Sequence, residues 1–483
     1  MMSNSAPMFS IDQVIKAVGG VLIAGAAQNT VCGISTDSRQ VERGNIFIAL
    51  QGENFDGHDF VHKAVEKGAA SVIISNEALF NLEKVDKAVS VIKASDTLQA
   101  LGDLAHNYRQ RFSLSVIGLT GSSGKTTTKE MMATIIGRKK TILKTEGNLN
   151  NLIGLPQTIF RLTAEHELAI LEMGTNTRGE IKRLTRIVAP NIALVTNIGP
   201  AHLAGFGSVD VVAREKGDLF LNMSQVGIAV VNLDDEAVKI IVERWNGRRI
   251  NFSMSPNADV TVNDIEKNGA RGMRFNLVID GTSQKVEMKI VGIHHVYNAM
   301  AAAACAWAAG IGPETIKEGL EAFSPVGGRM EMIKLQNGAY VIDDSYNANP
   351  ASVREALMTL KDLKNHHSGY VFLGDMLELG DAAEEMHRRI GMLLGTIGVN
   401  AVFLQGEYSA ITAAAAQDGG LPRENIFIMR DSKEGIAYLK KYLKKGDWVL
   451  VKGSRRMKME MIVAQIREEF GSDKNIENNN KVH

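Results

Sequence analysis

The stretch VIGLTGSSGKTTTKEMM, residues 116–132, places a lysine and three threonines directly after a glycine-rich turn. Gly121 and Gly124 allow the backbone N–H groups of a tight turn to face inward, and a helix that begins near Lys125 would add the positive end of its dipole. Lys125 can neutralise outer phosphates, and the Thr126 hydroxyl suits Mg²⁺. The predicted phosphate contacts are Gly121, Ser122, Ser123, Gly124, Lys125, Thr126 and Thr127.

The glycine spacing of this loop departs from the common P-loop pattern. That pattern has a glycine five residues before Gly124, where this chain has Leu119, and Gly118 lies one residue earlier. The loop is therefore a variant in which glycines recur at every third position. An ordinary Gly–Ser turn is the alternative, but a Lys-Thr pair between a predicted strand and a predicted helix favours phosphate binding.

Three further side chains could take part in chemistry near a bound phosphate. Glu172 ends the apolar run LAILE, where a carboxylate could hold Mg²⁺, although a surface glutamate is the plainer interpretation. His202 lies in the glycine-rich loop NIGPAHLAGFG, and a structural hydrogen bond is as good an explanation as catalysis. Lys216, in AREKGDLF, has by itself the pattern of an exposed helix lysine.

Several polar loops are candidate substrate-binding segments. The hydroxyls and guanidinium of STDSR suit a diphosphate, and a solvated turn explains them equally well. The asparagines of GNLNNLIGLP and DDSYNANP could cap helices or contact phosphate and carboxylate groups, and Pro350 is a good helix start. VKGSR adds cations at a predicted strand end. The candidates are Ser35, Thr36, Asp37, Ser38, Arg39, Asn148, Asn150, Asn151, Asn347, Asn349, Lys452, Ser454 and Arg455.

Composition excludes several classes of protein. The chain has 483 residues, and 54 Lys+Arg balance 54 Asp+Glu, so no basic surplus indicates nucleic-acid binding. Two cysteines far apart in sequence argue against a disulfide framework. The N-terminal residues lack the pattern of a signal peptide, and the most apolar segment, AMAAAACAWAAG, is too short to span a bilayer and indicates a packed helix. We expect a cytoplasmic protein without an integral membrane segment.

The elements that must position these residues fall into three predicted domains, 1–98, 99–326 and 327–483. The first mixes helices and strands. SDTLQALGDLAHNYRQRF follows as a connecting helix with Ser95 or Asp96 as its N-cap. The apolar runs LSVIGLT, LAILEMG, IALVTNIG and GIAVVNLDD predict buried parallel strands in the second domain, and five similar runs predict a Rossmann-like third domain. Ligands of such sheets bind beyond the carboxyl ends of the strands.

Nine motifs occur in an order that resembles the Mur ligase family: GLTGSSGKT, EGNLNNLIGLP, LEMG, NIGPAHL, EKGDLF, GGRME, DDSYNANP, GDMLELG and VKGSR. The resemblance covers nearly the whole chain and implies an ATP-dependent ligase. GENFDGHDF, NLNNLIGLP, DDSYNANP and GDMLELG resemble the member that joins D-Ala-D-Ala to UDP-N-acetylmuramoyl-tripeptide through an acyl phosphate, and the DNPR motif of the diaminopimelate-adding relative is absent. Whether the third peptide residue is lysine or diaminopimelate stays open.

The resemblance also implies roles for single residues. Lys125, Glu172, His202 and Lys216 would be catalytic, with Thr126 and Glu172 as ligands of one Mg²⁺, His202 as a ligand of a second, and Lys216 carbamylated by CO₂. Asn298 would contact adenine, and Arg329 and Asp344 would reach the nucleotide. His295 stands where the family often has Asn and is left out of the site. The first domain would hold the UDP end, and the protein would act as a monomer.

Two alternatives share parts of this pattern. A sibling Mur ligase or a folylpolyglutamate synthase would add a single amino acid by the same phosphate chemistry. A P-loop switch or carrier ATPase would form no bond, but a second α/β domain with the polar strand end DDSYNANP favours an enzyme that closes around its substrate.

Overall fold

The computed structural model describes residues 7–52, 55–77 and 86–472. Within these ranges the main sheets follow one another along the chain, each with helices against it. The α/β class and the three-domain architecture predicted from the sequence are confirmed. The boundaries 1–98, 99–326 and 327–483 stay predictions, and residues 53 and 54 of the GENFDGHDF motif lie outside the described residues.

The first domain is built on a mixed sheet with the strand order β2-β7-β6-β5-β4, in which β2 is antiparallel to β7 and the other pairs are parallel. The polar loop that begins with Ser35 leaves the carboxyl end of β4. Strands β1 and β3 pair separately as an antiparallel ribbon. The elements are β1 (Phe9–Ser10), α1 (Ile11–Val18), β2 (Val21–Ala24), β3 (Thr30–Val31), β4 (Gly33–Ser35), β5 (Asn45–Ile48), α2 (Val61–Glu66), β6 (Ser71–Ile74) and β7 (Ser90–Lys93).

Helix α3 (Thr97–Arg109) connects the first sheet to the second, as predicted. Of the two candidate N-caps, Asp96 caps the helix, because its carboxylate accepts a hydrogen bond from the Gln99 backbone N–H at 2.8 Å. The helix contacts α1 on one side. Its buried side chains include Leu101 and Leu104, so the connection is packed and not a free linker.

The middle domain follows α3 and carries the phosphate loop. Its elements are β8 (Ser115–Thr120), α4 (Lys125–Ile136), β9 (Ile142–Lys144), α5 (Gly154–Ile159), β10 (Leu168–Glu172), α6 (Glu180–Val188), β11 (Ile192–Val195), α7 (Leu203–Phe206), α8 (Val209–Asn222), β12 (Ile228–Asn232), α9 (Glu236–Val242), β13 (Arg248–Phe252), β14 (Val260–Lys267), β15 (Met273–Ile279), β16 (Thr282–Met288), α10 (Ile293–Ala308) and α11 (Pro313–Ala322).

The middle sheet has the order β16-β15-β14-β13-β12-β11-β8-β10-β9, parallel from β9 to β14 and antiparallel beyond. The four predicted strands are β8, β10, β11 and β12, and they are buried almost throughout. The sequence interpretation missed the antiparallel extension. The alanine-rich segment forms the buried helix α10, as predicted, and its small side chains let it pack closely on α4.

The third domain is a second, mostly parallel sheet with the order β17-β18-β22-β19-β20-β21. Only β17 is antiparallel to its neighbour among the described strands of this sheet. The elements are β17 (Glu331–Lys334), β18 (Tyr340–Asp344), α12 (Pro350–Lys364), β19 (Gly369–Gly374), α13 (Ala383–Thr396), β20 (Ala401–Gln405), α14 (Ser409–Asp418), β21 (Ile426–Ile428), α15 (Ser432–Tyr442), β22 (Trp448–Lys452) and α16 (Glu460–Phe470).

The carboxyl ends of the parallel strands carry polar groups in both large sheets. Glu172 ends β10 in the middle domain, and Asp344 and Lys452 end the neighbouring strands β18 and β22 in the third. Pro350 begins α12 as predicted, capped by Asn349. The two strand-end edges face a shared cavity.

Candidate active site

A cavity of about 740 Å³ lies between the middle and third domains. It brings together most of the residues predicted for nucleotide and metal binding. The predicted residues in its wall are Ser122, Ser123, Gly124, Lys125, Thr126, Thr127, Asn148, Asn150, Asn151, Glu172, His202, Asn298, Arg329, Asp344, Asn347, Asn349 and Lys452. Those outside the wall are Gly121, Lys216, Ser454, Arg455 and the segment 35–39.

The phosphate loop joins β8 to α4 and leaves the first turn of α4 without a side-chain cap. Gly124 is the N-cap with φ of 79°, so the first N–H groups of the helix are available to an anion. The turn is held from behind by residues that follow β11. The Ser123 N–H donates to Asn197 Oδ1 at 2.9 Å, and Thr196 Oγ1 donates to the Ser123 carbonyl at 2.6 Å.

The expected position of Lys125 was wrong in one respect. Lys125 begins α4 as the sequence predicts, but phosphate is not its one available partner, because it is partly buried and donates from Nζ to the Gly121 carbonyl at 2.7 Å. Burial lowers the pKa of Lys125. The negative charge of Glu172 raises this pKa in part, and the positive charge of Arg329 lowers it further. A phosphate in the cavity would have to draw the ammonium away from Gly121.

The oxygen ligands expected for Mg²⁺ meet at the end of β10. Thr126 Oγ1 donates to Glu172 Oε2 at 3.0 Å, and Asn150 Nδ2 donates to Glu172 Oε1 at 2.9 Å. The carboxylate is buried, 3.8 Å from Lys129 Nζ. One hydroxyl and one carboxylate beside a phosphate loop are the oxygen donors that Mg²⁺ takes together with nucleotide phosphates, so these residues fit the ion. In the described ranges, His, Cys, Asp and Glu side chains form no metal-binding group of three.

His202 lies in the cavity wall as the N-cap of α7, with φ of 52°. Its Nδ1 bonds to Oε2 of Glu378, a residue of the third domain, at 2.6 Å. The hydrogen bond from His202 lowers the pKa of Glu378 against the effect of burial. An imidazole whose Nδ1–H is bound by a carboxylate is typical of metal-ligating histidines, so His202 fits a second cation.

The sequence pattern around Lys216 predicts an exposed helix lysine, and this prediction is wrong. Lys216 lies on α8 with 1 % relative exposure. Burial lowers the pKa of Lys216 well below the ordinary value. The positive charge of Lys125 lowers it further, and the negative charge of Glu215 partly raises it. Burial and a neighbouring cation both favour the uncharged form of a lysine, and the uncharged amine is the form that reacts with CO₂.

Asn298 projects from α10 onto the phosphate loop. A Cβ at Gly124 would lie 2.4 Å from Asn298 Oδ1. The amide nitrogen of the same side chain, Asn298 Nδ2, is 3.4 Å from Nδ1 of His295. The His295 ring is buried, its Nε2 has no partner among the described residues, and burial lowers its pKa from 6.5 to about 4. His295, excluded from the predicted site, is thus a neutral side chain in the cavity wall.

The linker before β17 is bonded to the end of β18. The Met330 N–H donates to Asp344 Oδ1 at 3.2 Å, and the Arg329 guanidinium lies 4.0 Å from the centre of the Tyr346 ring. Lys452 Nζ donates to Asp344 Oδ2 and to the Asn347 carbonyl. Burial raises the pKa of Asp344, although Lys452 favours its charged form. Lys452 therefore has protein partners already.

Asn349 joins the third domain to the phosphate loop. Its Oδ1 accepts from the Ser352 N–H at 2.8 Å, which caps α12, and its Nδ2 donates to the Ser122 carbonyl at 3.2 Å and Ser123 Oγ at 3.1 Å. Ser454 and Arg455 lie behind this wall. Ser454 Oγ accepts from the Leu377 N–H, and Arg455 pairs with Glu460 at 3.0 Å.

The remaining candidate loops have local partners. Arg39 donates to Asp37 at 2.9 Å, which lowers the pKa of that carboxyl, and Ser35 Oγ bonds to the Asp37 carbonyl. Thr36 Oγ1 accepts from Gln157 of α5 at 2.9 Å, so the first domain touches the middle domain here; Ser38 is buried. Asn151 Oδ1 accepts from the Gly154 N–H at 2.8 Å at the start of α5, and both Asn148 and Asn151 lie in the cavity wall.

Sequence reasoning missed several residues of the cavity region. Tyr346 and Glu378 lie inside the quoted motifs DDSYNANP and GDMLELG, which was the available signal. Lys129 stands four residues after Lys125 on α4, hence on the same side, and is fully buried with Nζ donating to the Thr145 carbonyl at 2.6 Å. No pattern in the sequence distinguishes Lys129 from a surface lysine.

The fold and the phosphate-loop cavity define a class of nucleotide-binding α/β proteins, and comparison with known families identifies the family within it. Three family models match in sequence order: "Mur ligase family, catalytic domain" over residues 30–109, "Mur ligase middle domain" over 119–306 and "Mur ligase, glutamate ligase domain" over 328–455. The chain belongs to the Mur ligase family.

Particular relatives are similar over nearly their full length. The UDP-N-acetylmuramoyl-tripeptide–D-alanyl-D-alanine ligases of Bacillus subtilis and Escherichia coli K12 are 34% and 36% identical, each covering 95% of this chain and 98% of the relative. A MurF crystal structure from Acinetobacter baumannii has TM-score 0.86 at 33% identity, over 96% of this chain and 99% of that one. The ADP complex of Thermotoga maritima MurF has TM-score 0.80 at 26% identity, over 90% and 97%.

Replacing Gly124 by alanine should weaken nucleotide binding roughly tenfold or more while the protein stays folded. The new Cβ would combine a positive φ with a 2.4 Å contact to Asn298 Oδ1. Binding of ADP measured by calorimetry checks this. Gly310→Ala is the matched control, because Gly310 has φ of 83° but open space around its Cβ position. Equal ADP affinity in both variants would contradict the close fit of Asn298 on the loop.

His295 should make the protein acid-sensitive. Its pKa is about 4 in the folded chain, against 6.5 ordinarily. Between these values the unfolded chain binds a proton that the folded chain does not, so stability falls as the pH is lowered through this window. The midpoint of thermal unfolding should therefore drop less from pH 6.5 to 4 in His295→Asn than in the wild type. The exposed His366→Asn serves as control, and equal drops in all three proteins would refute the assignment.

Proposed function

We propose that this protein joins D-Ala-D-Ala to the C-terminal carboxylate of UDP-N-acetylmuramoyl-tripeptide in an ATP-dependent reaction of peptidoglycan biosynthesis. The names of its full-length relatives support the substrates. The observation that carries the chemistry is the cavity between the phosphate loop and the strand ends of the third domain. Such a cavity can hold a nucleotide on one side and a second substrate on the other.

The reaction would proceed in two balanced steps. The substrate carboxylate attacks the γ-phosphorus of ATP, so an O–P bond forms, the bond to the β-phosphate oxygen breaks, and ADP leaves. The amine of D-Ala-D-Ala then attacks the acyl carbon, a C–N bond forms, phosphate departs with the C–O bond pair, and the amine loses a proton. Phosphorylation supplies the leaving group that a carboxylate lacks. The transfer itself needs mainly alignment and charge neutralisation.

The residues of the middle domain supply most of that neutralisation. Lys125 and the free N–H groups of α4 would bind the phosphates. Thr126 and Glu172 would hold one Mg²⁺, and His202 would hold a second together with Lys216 as a carbamate. Bound Mg²⁺ neutralises phosphate charge during transfer. Asn298, Arg329 and Asp344 would contact the nucleotide.

The third domain would hold the acceptor. A dipeptide carries its carboxylate one residue farther from the attacking amine than a free amino acid does, so its site needs polar groups set back from the phosphates. Asn347, Asn349 and Lys452 line that side of the cavity, with Ser454 and Arg455 behind them. A shorter acceptor would not reach these groups and would forgo their hydrogen bonds, which disfavours it. The loop from Ser35 to Arg39 would bind the UDP end.

The cellular setting belongs to the same proposal. Both substrates of the first step are nucleotides, so we place the enzyme in the cytoplasm and expect a monomer. Within the described ranges, no helix has the length and apolar character to cross a bilayer. A folylpolyglutamate synthase of Mycobacterium tuberculosis shares the fold with TM-score 0.59 at 17% identity, which supports no likeness of substrate.

A competition experiment tests the proposed function. Purified protein receives UDP-N-acetylmuramoyl-tripeptide, ATP, Mg²⁺, D-Ala and D-Ala-D-Ala together, and the product is weighed by mass spectrometry. We expect a gain of two alanines, with ADP release dependent on both the carboxylate donor and the amine acceptor. A dominant gain of one alanine would favour a single-amino-acid ligase, and ADP release without acceptor would favour an ATPase. Running lysine and diaminopimelate tripeptides in parallel identifies the third residue.

Lys125→Ala should lower kcat by roughly 10²–10³-fold, as loss of an electrostatic stabiliser does, without changing the circular dichroism spectrum. Its ammonium is the cation on the loop nearest the expected phosphates. Lys139→Ala, at an exposed position beyond the end of α4, is the control and should keep full activity. Near-normal turnover in a folded Lys125→Ala variant would overturn the assignment of the loop to phosphate binding.

Lys216 should be carbamylated in the active enzyme. Its uncharged amine would attack CO₂, forming an N–C bond and releasing one proton, which converts a cation into a carboxylate-like ligand. Incubation with ¹³CO₂ should give a carbamate carbon resonance that Lys216→Ala lacks and the exposed Lys182→Ala retains. Lys216→Ala should be nearly inactive and partly rescued by a short added carboxylate. Full activity with an unmodified Lys216 would disprove this.

A further inference from the structure

A segment of the third domain reaches across to the helix that follows His202. Glu378 makes two contacts there: Oε2 accepts from His202 Nδ1 at 2.6 Å, and its backbone carbonyl accepts from the Ala204 N–H at 3.0 Å. Side chain and main chain of one residue therefore hold the same short helix, α7.

The backbone on both sides of this contact is fixed in an uncommon conformation. His202 and Glu378 have φ of 52° and 64°, the left-handed region that non-glycine residues rarely adopt. Gly380 follows with φ of 55°, and a Cβ there would lie 3.0 Å from the Ala204 Cα. Such conformations persist where the surrounding structure determines them, and they cluster at functional sites.

The segment that carries Glu378 moves with the third domain, because it is bonded to that domain's own elements. The Met376 N–H donates to His387 Nε2 at 3.0 Å, and the Leu377 N–H donates to Ser454 Oγ at 2.8 Å. His387 Nδ1 in turn bonds to the Ala383 carbonyl, which fixes its ring. The position of Glu378 is thus set by the third sheet, whereas His202 belongs to the middle sheet.

We infer that Glu378 is a positioning residue that fixes the tautomer and orientation of His202 across the contact between the third and middle domains. The carboxylate accepts from Nδ1–H, which leaves the Nε2 lone pair for a divalent cation in the cavity. The Glu378 side chain is 57% exposed, so the pair contributes little to holding the domains together, and its effect is on the imidazole. This inference rests on the proposed function, in which His202 binds a cation.

Mn²⁺ is the probe that tests this role without relying on turnover. It is titrated into the full chain with a non-hydrolysable ATP analogue in CO₂-supplied buffer, and free Mn²⁺ is read by electron paramagnetic resonance. Glu378→Ala should weaken one class of bound Mn²⁺ roughly 10–100-fold. Glu378→Gln should lose less, because its amide oxygen still accepts from Nδ1. The control Glu384→Gln, exposed in the same domain, should bind like the wild type.

A double-mutant cycle separates positioning from simple domain contact. In a His202→Ala background, Glu378→Ala should cause no further loss of Mn²⁺ affinity, since the residue acts through the imidazole. Unchanged affinity in Glu378→Ala, or an equal additional loss in the His202→Ala background, would overturn the inference. If the inference is overturned in this way but the wild type makes the two-alanine product, the proposed function is still supported. If the wild type makes none, the proposed function fails on its own test.

Discussion

The phosphate-binding half of the cavity depends on the hydrogen bonds made by the carboxyl group of Glu172. This group is buried at the end of β10, where a charge without partners would be very unfavourable. Thr126 and Asn150 each donate to one of its oxygens, and Lys129 lies close enough to balance its charge. The Glu172 carboxyl group therefore fixes the relative positions of three segments: the start of α4, the loop that contains Asn150, and the end of β10. A cation that enters the cavity there meets oxygen atoms that are already oriented.

The rest of the cavity follows from placing a second strand-end edge opposite the first. Parallel strands end at the same edge of a sheet, so Asp344 and Lys452 meet there although 108 positions separate them in the sequence. The linker residues Arg329 and Met330 are bonded to the same edge through Tyr346 and Asp344. Opposite charges are paired on both walls, Glu172 with Lys129 and Asp344 with Lys452, which keeps the cavity polar.

Much of this arrangement can be predicted from sequence because it is local. Apolar runs that end in Glu172 or Asp344 identify both the strand and its functional end, and the glycine spacing before Lys125 identifies the phosphate loop. Strands β14 to β16 escape prediction because β15 alternates buried and partly exposed residues, a pattern of weaker contrast than a continuous apolar run. The burial of Lys216 and Lys129 could not be predicted from the sequence either, because helix periodicity does not show what packs against a lysine. The His202–Glu378 contact joins residues 176 positions apart, which no local pattern encodes.

The single amide of Asn349 has a consequence for chemical intervention. It caps α12 with its oxygen and binds the phosphate loop with its nitrogen, so this planar group lies directly in the seam between the domains. A small molecule inserted at this seam would have to replace the two hydrogen bonds from Asn349 to Ser122 and Ser123, and both serines belong to the phosphate loop. The seam is thus a place for an inhibitor that wedges the domains apart and whose binding is coupled to that of the nucleotide.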